Sequence, residues 1–187
     1  MFEQVLPGNT KKVLALLADF EDIQKAYLAG GTALALQLGH RISYDLDFFT
    51  QEEFEENMLL SKLKKFQDFH LERTGWKTIL GRFKDVRFSI FYYDYPILNA
   101  PLKFEKIKIL DIPDIAAMKI AAIASRGVKR DFVDLYFMCK KIPLPEIIQL
   151  YDQKYKNLAT TQINIMKSLV YFADAEEEQM PNMLNNA

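Results

Sequence analysis

A chain of 187 residues, half of them hydrophobic and 26% charged, is long enough to bury an ordinary core without disulfides or a structural metal. Its formal net charge of −1 excludes a protein that coats nucleic acid non-specifically, while leaving room for one local basic patch. The single cysteine, Cys139, excludes an internal disulfide; in its apolar, helix-like surroundings it reads as a buried small hydrophobe rather than a reactive thiol.

No apolar run approaches the ~20 residues that span a bilayer, and Met1 to Asn9 lacks the apolar core of a signal segment. The expectation is a soluble, cytoplasmic protein with no membrane partner. In chain order, Asn9 or Thr10 can cap a helix from Lys11 to Lys25, with Leu14, Leu17 and Phe20 on its apolar stripe. Tyr27 to Ala29 reads as a short strand broken by Gly30-Gly31. Thr32 to Leu38 reads as a helix closed by Gly39. Asp45 to Phe49 is a strand, and Gln51 to Phe66 a charged amphipathic helix.

Alternating segments then predict antiparallel strands at Phe69 to Arg73, Lys77 to Phe83 and Val86 to Tyr93, followed by one at Lys106 to Ile112. After Pro113 the pattern is helical: Asp114 to Ser125, Arg130 to Lys140, Leu144 to Tyr155 and Thr160 to Ala173. The tail, with Glu176-Glu177-Glu178, Pro181, Asn182, Asn185 and Asn186, is expected to fray or lie loosely on the surface. The fold class is therefore α+β: a mixed sheet with flanking helices over residues 1–112, and a helical part over 113–187 packed on it.

One stretch carries the chemistry. Gly30-Gly31-Thr32 stands at a strand-to-helix turn, where glycines let backbone N–H groups approach a ligand and the helix dipole favours an anion. Thr32 can give its hydroxyl to a phosphate or cap its own helix. Twelve residues later come Asp45 and Asp47. At i and i+2 of a strand they share a face, and two adjacent carboxylates stay ionised cheaply only with a cation between them. Oxygen-only ligation suits Mg²⁺ or Mn²⁺. A lone Asp-Leu-Asp or Gly-Gly is ordinarily a solvated pair or a turn; in this order they read together as a triphosphate grip beside a metal site.

These residues resemble the signature of the DNA polymerase β-like nucleotidyltransferase superfamily. The wider run from Gly30-Gly31-Thr32 through Gly39-His40-Arg41-Ile42-Ser43 to Asp45-Leu46-Asp47-Phe48-Phe49 resembles the AbiEii/AbiGii-type nucleotidyltransferases, the toxin halves of toxin–antitoxin systems. A second block agrees: Asp114 to Lys119, Arg126-Gly127, and Lys129-Arg130-Asp131-Phe132-Val133-Asp134. The superfamily's usual third carboxylate is absent from its place, because the strand Val86 to Tyr93 has Ser89 there. The resemblance implies that the helical half supplies it: Lys119 would bind phosphate or nucleotide, and Asp131 or Asp134 would act as base or metal ligand. Asp131 and Asp134 lie one helical turn apart and can share a face. Arg126, Lys129 and Arg130 grip the triphosphate or an RNA backbone, or are simply solvated. Arg41 is a phosphate candidate, and His40 reads as a loop histidine.

The resulting expectation is a metal-dependent enzyme that moves NMP from an NTP to a hydroxyl of RNA or of protein, with pyrophosphate released. The resemblance favours tRNA as acceptor and an antitoxin as partner. A protein phosphotransferase on the same scaffold and a non-catalytic nucleotide-binding module are the alternatives, the second because of Ser89.

Overall fold

The computed structural model describes residues 1–156 and 162–184. After a 3-10 turn at Glu3–Val5, the chain forms α1 (Gly8–Ala18), α2 (Glu21–Lys25), β1 (Tyr27–Leu28), α3 (Gly30–Leu38), β2 (Leu46–Thr50) and α4 (Glu56–Leu63). Strands β3 (Phe69–Gly75), β4 (Thr78–Phe83), β5 (Val86–Tyr92), β6 (Leu102–Phe104) and β7 (Ile107–Ile109) follow. Helices α5 (Ile112–Ser125), α6 (Lys129–Cys139), α7 (Leu144–Lys154), α8 (Gln162–Val170) and α9 (Ala173–Glu176) complete the described residues. None of these helices is long and apolar enough to cross a membrane.

Among the described residues the strands form one mixed sheet in the order β3-β4-β5-β2-β1-β7-β6. Strand β2 runs parallel to β5 and antiparallel to β1, which is parallel to β7. The period-2 rule splits the sheet into two faces. Leu46, Phe48, Ile79, Phe83, Phe88 and Ile90 are buried on one, with α1 and α4 beside it. Asp47, Phe49, Ser89 and Phe91 lie on the other, facing α5.

Several boundaries differ from the sequence pattern. The helix expected over 11–25 is two helices, because Phe20 turns extended (φ −84°, ψ 118°) and packs edge-on against Phe66 at 5.5 Å. Neither Asn9 nor Thr10 is a cap; both lie inside α1, where Asn9 binds Asp85 and Thr10 the Tyr44 carbonyl. The charged helix starts only at Glu56, since the Thr50 hydroxyl accepts the Glu52 N–H and holds the chain in a turn. Strand β6 escaped sequence reading because it is largely exposed and shows no alternation. Cys139 is exposed rather than buried: α6 buries Asp131, Asp134, Leu135 and Met138, and Cys139 lies round the helix from that face.

The tail is not loose as far as Leu184. Asn182 accepts the Ile42 N–H (2.8 Å), Leu184 donates to the His40 carbonyl (3.0 Å), and Met183 bridges to Arg41. Asn185, Asn186 and the first two residues of the expected helix Thr160 to Ala173 lie outside the described residues.

Helix α5 is the central wall. Asp111 caps it by accepting the Asp114 N–H (3.1 Å), and Pro113 occupies its first turn. Asp114, fully buried, accepts the N–H groups of Leu98 and Asn99 and pairs with the equally buried Lys154 of α7 at 2.7 Å. Lys154 also donates to the Pro96 carbonyl at 2.7 Å. One ion pair thus ties α5, α7 and the loop after β5. Removing one partner strands a buried charge, so Lys154→Met is expected to cost about 3–5 kcal/mol in a urea titration. A loss under about 1 kcal/mol would show that the two amides alone satisfy Asp114.

Candidate active site

Strand β1 ends at Leu28, and the chain turns at once into α3. Gly30 takes a left-handed conformation (φ +66°), which glycine adopts without strain. Ala29, the N-cap, offers no side-chain acceptor, so the first-turn N–H groups of α3 are left uncapped where Gly30 and Gly31 line a cleft. Gly31 is glycine for a further reason: a Cβ there would stand 2.2 Å from Nη2 of Arg41. The Thr32 hydroxyl bonds the Ser43 hydroxyl (2.8 Å) and the Asp45 backbone carbonyl. That side chain is buried and links α3 to the entry of β2, so its structural contacts take the hydroxyl that the sequence offered to a phosphate.

Asp45 stands just before β2 and Asp47 within it, both on the cleft. Oδ1 of Asp47 accepts the Ser89 hydroxyl, and Ser89 is the register partner of Asp47 in β5. Burial pushes the Asp47 carboxyl above its ordinary range; the Ser89 hydrogen bond opposes this, and the Asp45 charge adds to it. A cation between the two carboxylates would relieve that penalty. The donor set fits a hard divalent ion: a Cβ at Gly30 would approach Asp47 Oδ2 to 3.2 Å, so glycine keeps the space beside that oxygen open. Among the described residues no His, Cys, Asp or Glu makes a third ligand. That arrangement suits Mg²⁺, which commonly takes one or two carboxylates and completes its shell with water and phosphate oxygens.

Behind the cleft lies a buried chain of alternating charges. Arg41 forks onto Asp134 through Nε (2.7 Å) and Nη2 (2.9 Å). Lys119 bridges Asp134 and Asp131, 2.7 Å from each. Arg126 then holds Asp131 through Nε at 2.8 Å and Nη2 at 3.1 Å. His40 adds Nε2 at 2.8 Å from Asp134, while its buried Nδ1 has no hydrogen-bond partner among the described residues.

This geometry places Asp131 and Asp134 behind the cleft wall, in contact with the cations that line it. Both are fully buried. Burial alone would raise their carboxyls, but Lys119 and Arg41, with His40, hold Asp134 far below the usual range, and Arg126 and Lys119 hold Asp131 below it. A carboxylate so stabilised is a poor base, and its oxygens are occupied. In this arrangement both carboxylates hold Arg41, Lys119 and Arg126 in place. Arg41 lines the cleft, yet its fork is spent on Asp134. Lys119 also lines it, and with two of three N–H donors engaged it has one left to offer.

The cleft encloses about 600 Å³ between β2, β5 and α5. Its polar end gathers Asp45, Asp47, Lys119, Arg126 and Arg130, with Arg130 Nη1 3.5 Å from Asp45 Oδ2. Its other lining is aromatic, with Phe49, Phe91, Tyr93 and Tyr155, joined by the thioether of Met118. Lys129 does not line the cleft. Its ammonium is taken by the Glu176 and Glu178 carbonyls, and its N–H by the Glu178 carboxylate. Sequence reading missed His40, because nothing in a loop histidine marks a carboxylate that is distant in sequence. It also missed the aromatic lining, which the i, i+2 continuation Asp45-Asp47-Phe49 and Ser89-Phe91-Tyr93 could have exposed.

Comparison with known proteins agrees with this constellation. The family model described as "Nucleotidyl transferase AbiEii toxin, Type IV TA system" matches residues 12–101 and 93–185. An uncharacterized protein of Aquifex aeolicus (strain VF5) is 41% identical over 163 residues, 81% of this chain and 76% of its own length. Among solved structures, the antibiotic-resistance factor ANT(2'')-Ia superposes with a TM-score of 0.59 at 12% identity, over 81% of this chain and 91% of that one. MenT4, a nucleotidyltransferase toxin of Mycobacterium tuberculosis H37Rv, gives 0.51 at 19% identity, over 74% of this chain and 59% of its own. Megavirus polyadenylate synthase gives 0.51 at 15% identity over 72% of this chain, which spans 32% of that protein. At such identities these structures share the fold: the mixed sheet and its helices form a nucleotidyltransferase fold.

The depressed carboxyls of Asp131 and Asp134 set an acid limit on stability. Groups held below their unfolded pKa contribute fully above the ordinary aspartate range, and that contribution is lost as pH falls beneath about 4. Thermal melts should stay flat down to about pH 5 and drop below about pH 4. Asp134→Asn should cost about 3–5 kcal/mol at neutral pH and flatten the acid limb. An unchanged acid limb in that variant would show that other carboxylates govern it.

Proposed function

The chain belongs to the family of AbiEii nucleotidyltransferase toxins, and on that footing we propose that it moves NMP from an NTP, with Mg²⁺ or Mn²⁺, onto a hydroxyl of an RNA acceptor such as tRNA. The observation that carries this reading is the meeting, in one cleft, of the Asp45/Asp47 pair, the uncapped N-terminus of α3 and the cations Lys119, Arg126 and Arg130. Such a site holds a polyanion beside a divalent ion. Its volume suits a ligand of nucleotide size.

Gly30 and Gly31 let the first-turn amides approach phosphate, and Lys119, Arg126 and Arg130 offer charge to the same group. The base would lie against Phe49, Phe91 and Tyr93, with the Tyr93 and Tyr155 hydroxyls already bonded to each other. Stacking on such a surface tolerates any base. When bound, the divalent ion would lower the pKa of the attacking hydroxyl and neutralise charge on the phosphates. The acceptor oxygen bonds to the α-phosphorus, the bond from that phosphorus to the bridging oxygen breaks, pyrophosphate leaves, and the hydroxyl proton passes to water. Position and charge are the protein's contribution. By family, the expected protein partner is a cognate antitoxin.

A second reading, nucleotide binding without transfer, is favoured by one observation: the position opposite Asp47 carries Ser89, not a carboxylate. One experiment separates the two. NTP with Mg²⁺ should raise the melting temperature, and labelled NTP should mark RNA. Asp45→Asn with Asp47→Asn should remove both effects and leave the protein folded. A thermal shift without any labelled acceptor supports binding alone, and a shift that survives the double substitution rejects the site.

A further inference from the structure

The sheet extends past the cleft onto a face that carries exposed side chains of β3, β4 and β5. Register carries two rows across it. The first runs from Asp47 through Ser89 and Leu80 to Arg73. The second runs from Arg87 through Arg82 to His70, and continuing the β2–β5 register by one residue sets Arg87 opposite Asp45. Opposite faces of the same strands bury Phe69, Ile79, Phe83, Val86 and Phe88, so these rows point away from the core.

The charge on this ledge is lopsided. Arg73, Arg82, Arg87 and His70 are exposed, and the single carboxylate among them is Glu72, which is bound to Arg82. The side chains of Arg73 and Arg87 make no hydrogen bond or ion pair among the described residues. Behind the cleft the situation is the reverse, for Arg41, Lys119 and Arg126 all have carboxylate partners. A chain with net charge −1 thus concentrates unneutralised guanidinium groups on one sheet face. That face joins the acidic pair directly, since Arg87, Leu80 and Glu72 also line the cleft.

We propose that this ledge is the docking surface for the sugar–phosphate backbone of the RNA acceptor, with Arg73 and Arg87 as its phosphate contacts. The assignment rests on the transfer reading above and adds the acceptor's location to it. Charge complementarity selects the partner: guanidinium forks match phosphate, and a strand laid along the rows would deliver its terminal hydroxyl beside Asp45 and Asp47. From Asp47 to Arg73 is three strand spacings, about 14 Å, long enough for a run of backbone rather than a single phosphate.

The test uses the full chain and a short fluorescein-labelled single-stranded RNA, read by anisotropy across a NaCl series. Arg73→Glu with Arg87→Glu should weaken binding at least about tenfold and flatten the log–log salt slope by roughly two, the loss of two phosphate contacts. Arg73→Lys with Arg87→Lys should keep the slope. Glu72→Gln, which frees Arg82, should tighten binding several-fold, a gain that a damaged fold would not produce. Arg73→Glu alone should leave the NTP-dependent thermal shift intact, because Arg73 is outside the cleft. Wild-type affinity and slope in the double variant overturn the ledge. So does a wild-type chain that labels protein but binds no RNA. Absence of any NTP shift in the wild type would instead strike the nucleotide site itself.

Discussion

Asp134 is a buried carboxylate that cannot reach water, and the fold arranges three positive or hydrogen-bonding side chains around it. Arg41 comes from the loop before β2, Lys119 from α5 and His40 from the end of α3's turn. Each of those elements also carries part of the cleft. Moving any one of them would leave a charge without a partner, a penalty of several kcal/mol, which is a large share of a domain's net stability. The requirement propagates outward. Gly31 must lack a Cβ because Arg41 Nη2 occupies that space. The tail, through Asn182, Met183 and Leu184, braces the same loop from outside. Asp45 follows that loop by four residues, so the acidic pair inherits its position from a carboxylate that never touches the cleft.

The alternating chain from Arg41 to Arg126 also shapes the electrostatics. Its three cations face two carboxylates, leaving one positive charge in excess toward the cleft. Asp45 and Asp47 supply the opposite sign across the same space. A bound polyanion with its divalent ion would complete both halves. Arg41, Lys119 and their two carboxylates are buried, so that part of the field is screened less than surface pairs are, while Arg126 is half exposed.

Short-range signals in the sequence were legible. Strand periodicity placed β3, β4 and β5 within a residue or two, and Gly39, left-handed at φ +68°, closes α3 where the pattern placed the stop. The Gly-Gly turn and the Asp45/Asp47 spacing located one wall of the cleft, since each depends only on neighbours. What could not be read was pairing between residues far apart in the chain. Asp134 stands between Val133 and Leu135, and two of its partners, His40 and Arg41, lie more than ninety residues earlier. A carboxylate sought as a base and one neutralised by three donors look the same in sequence. Lys129 shows the same limit: next in sequence to Arg130, which lines the cleft, it projects round the helix to the returning tail.

Ser89 gains meaning from this frame. With a hydroxyl opposite Asp47, two carboxylates rather than three meet at that corner of the cleft, and repulsion between them is correspondingly lower. Asp47 is already pushed upward by burial, and a third charge in contact with it would push further. The hydroxyl instead donates to Asp47 and holds the carboxylate in one orientation. Fewer fixed negative charges also weaken the site's own hold on a cation. On the transfer reading, more of the neutralisation of a triphosphate then falls to Lys119, Arg126 and Arg130. That division explains why Lys119 is braced by two carboxylates. The bridge to Asp131 and Asp134 fixes the ammonium at the cleft wall, so its third N–H is aimed by the fold rather than by the ligand.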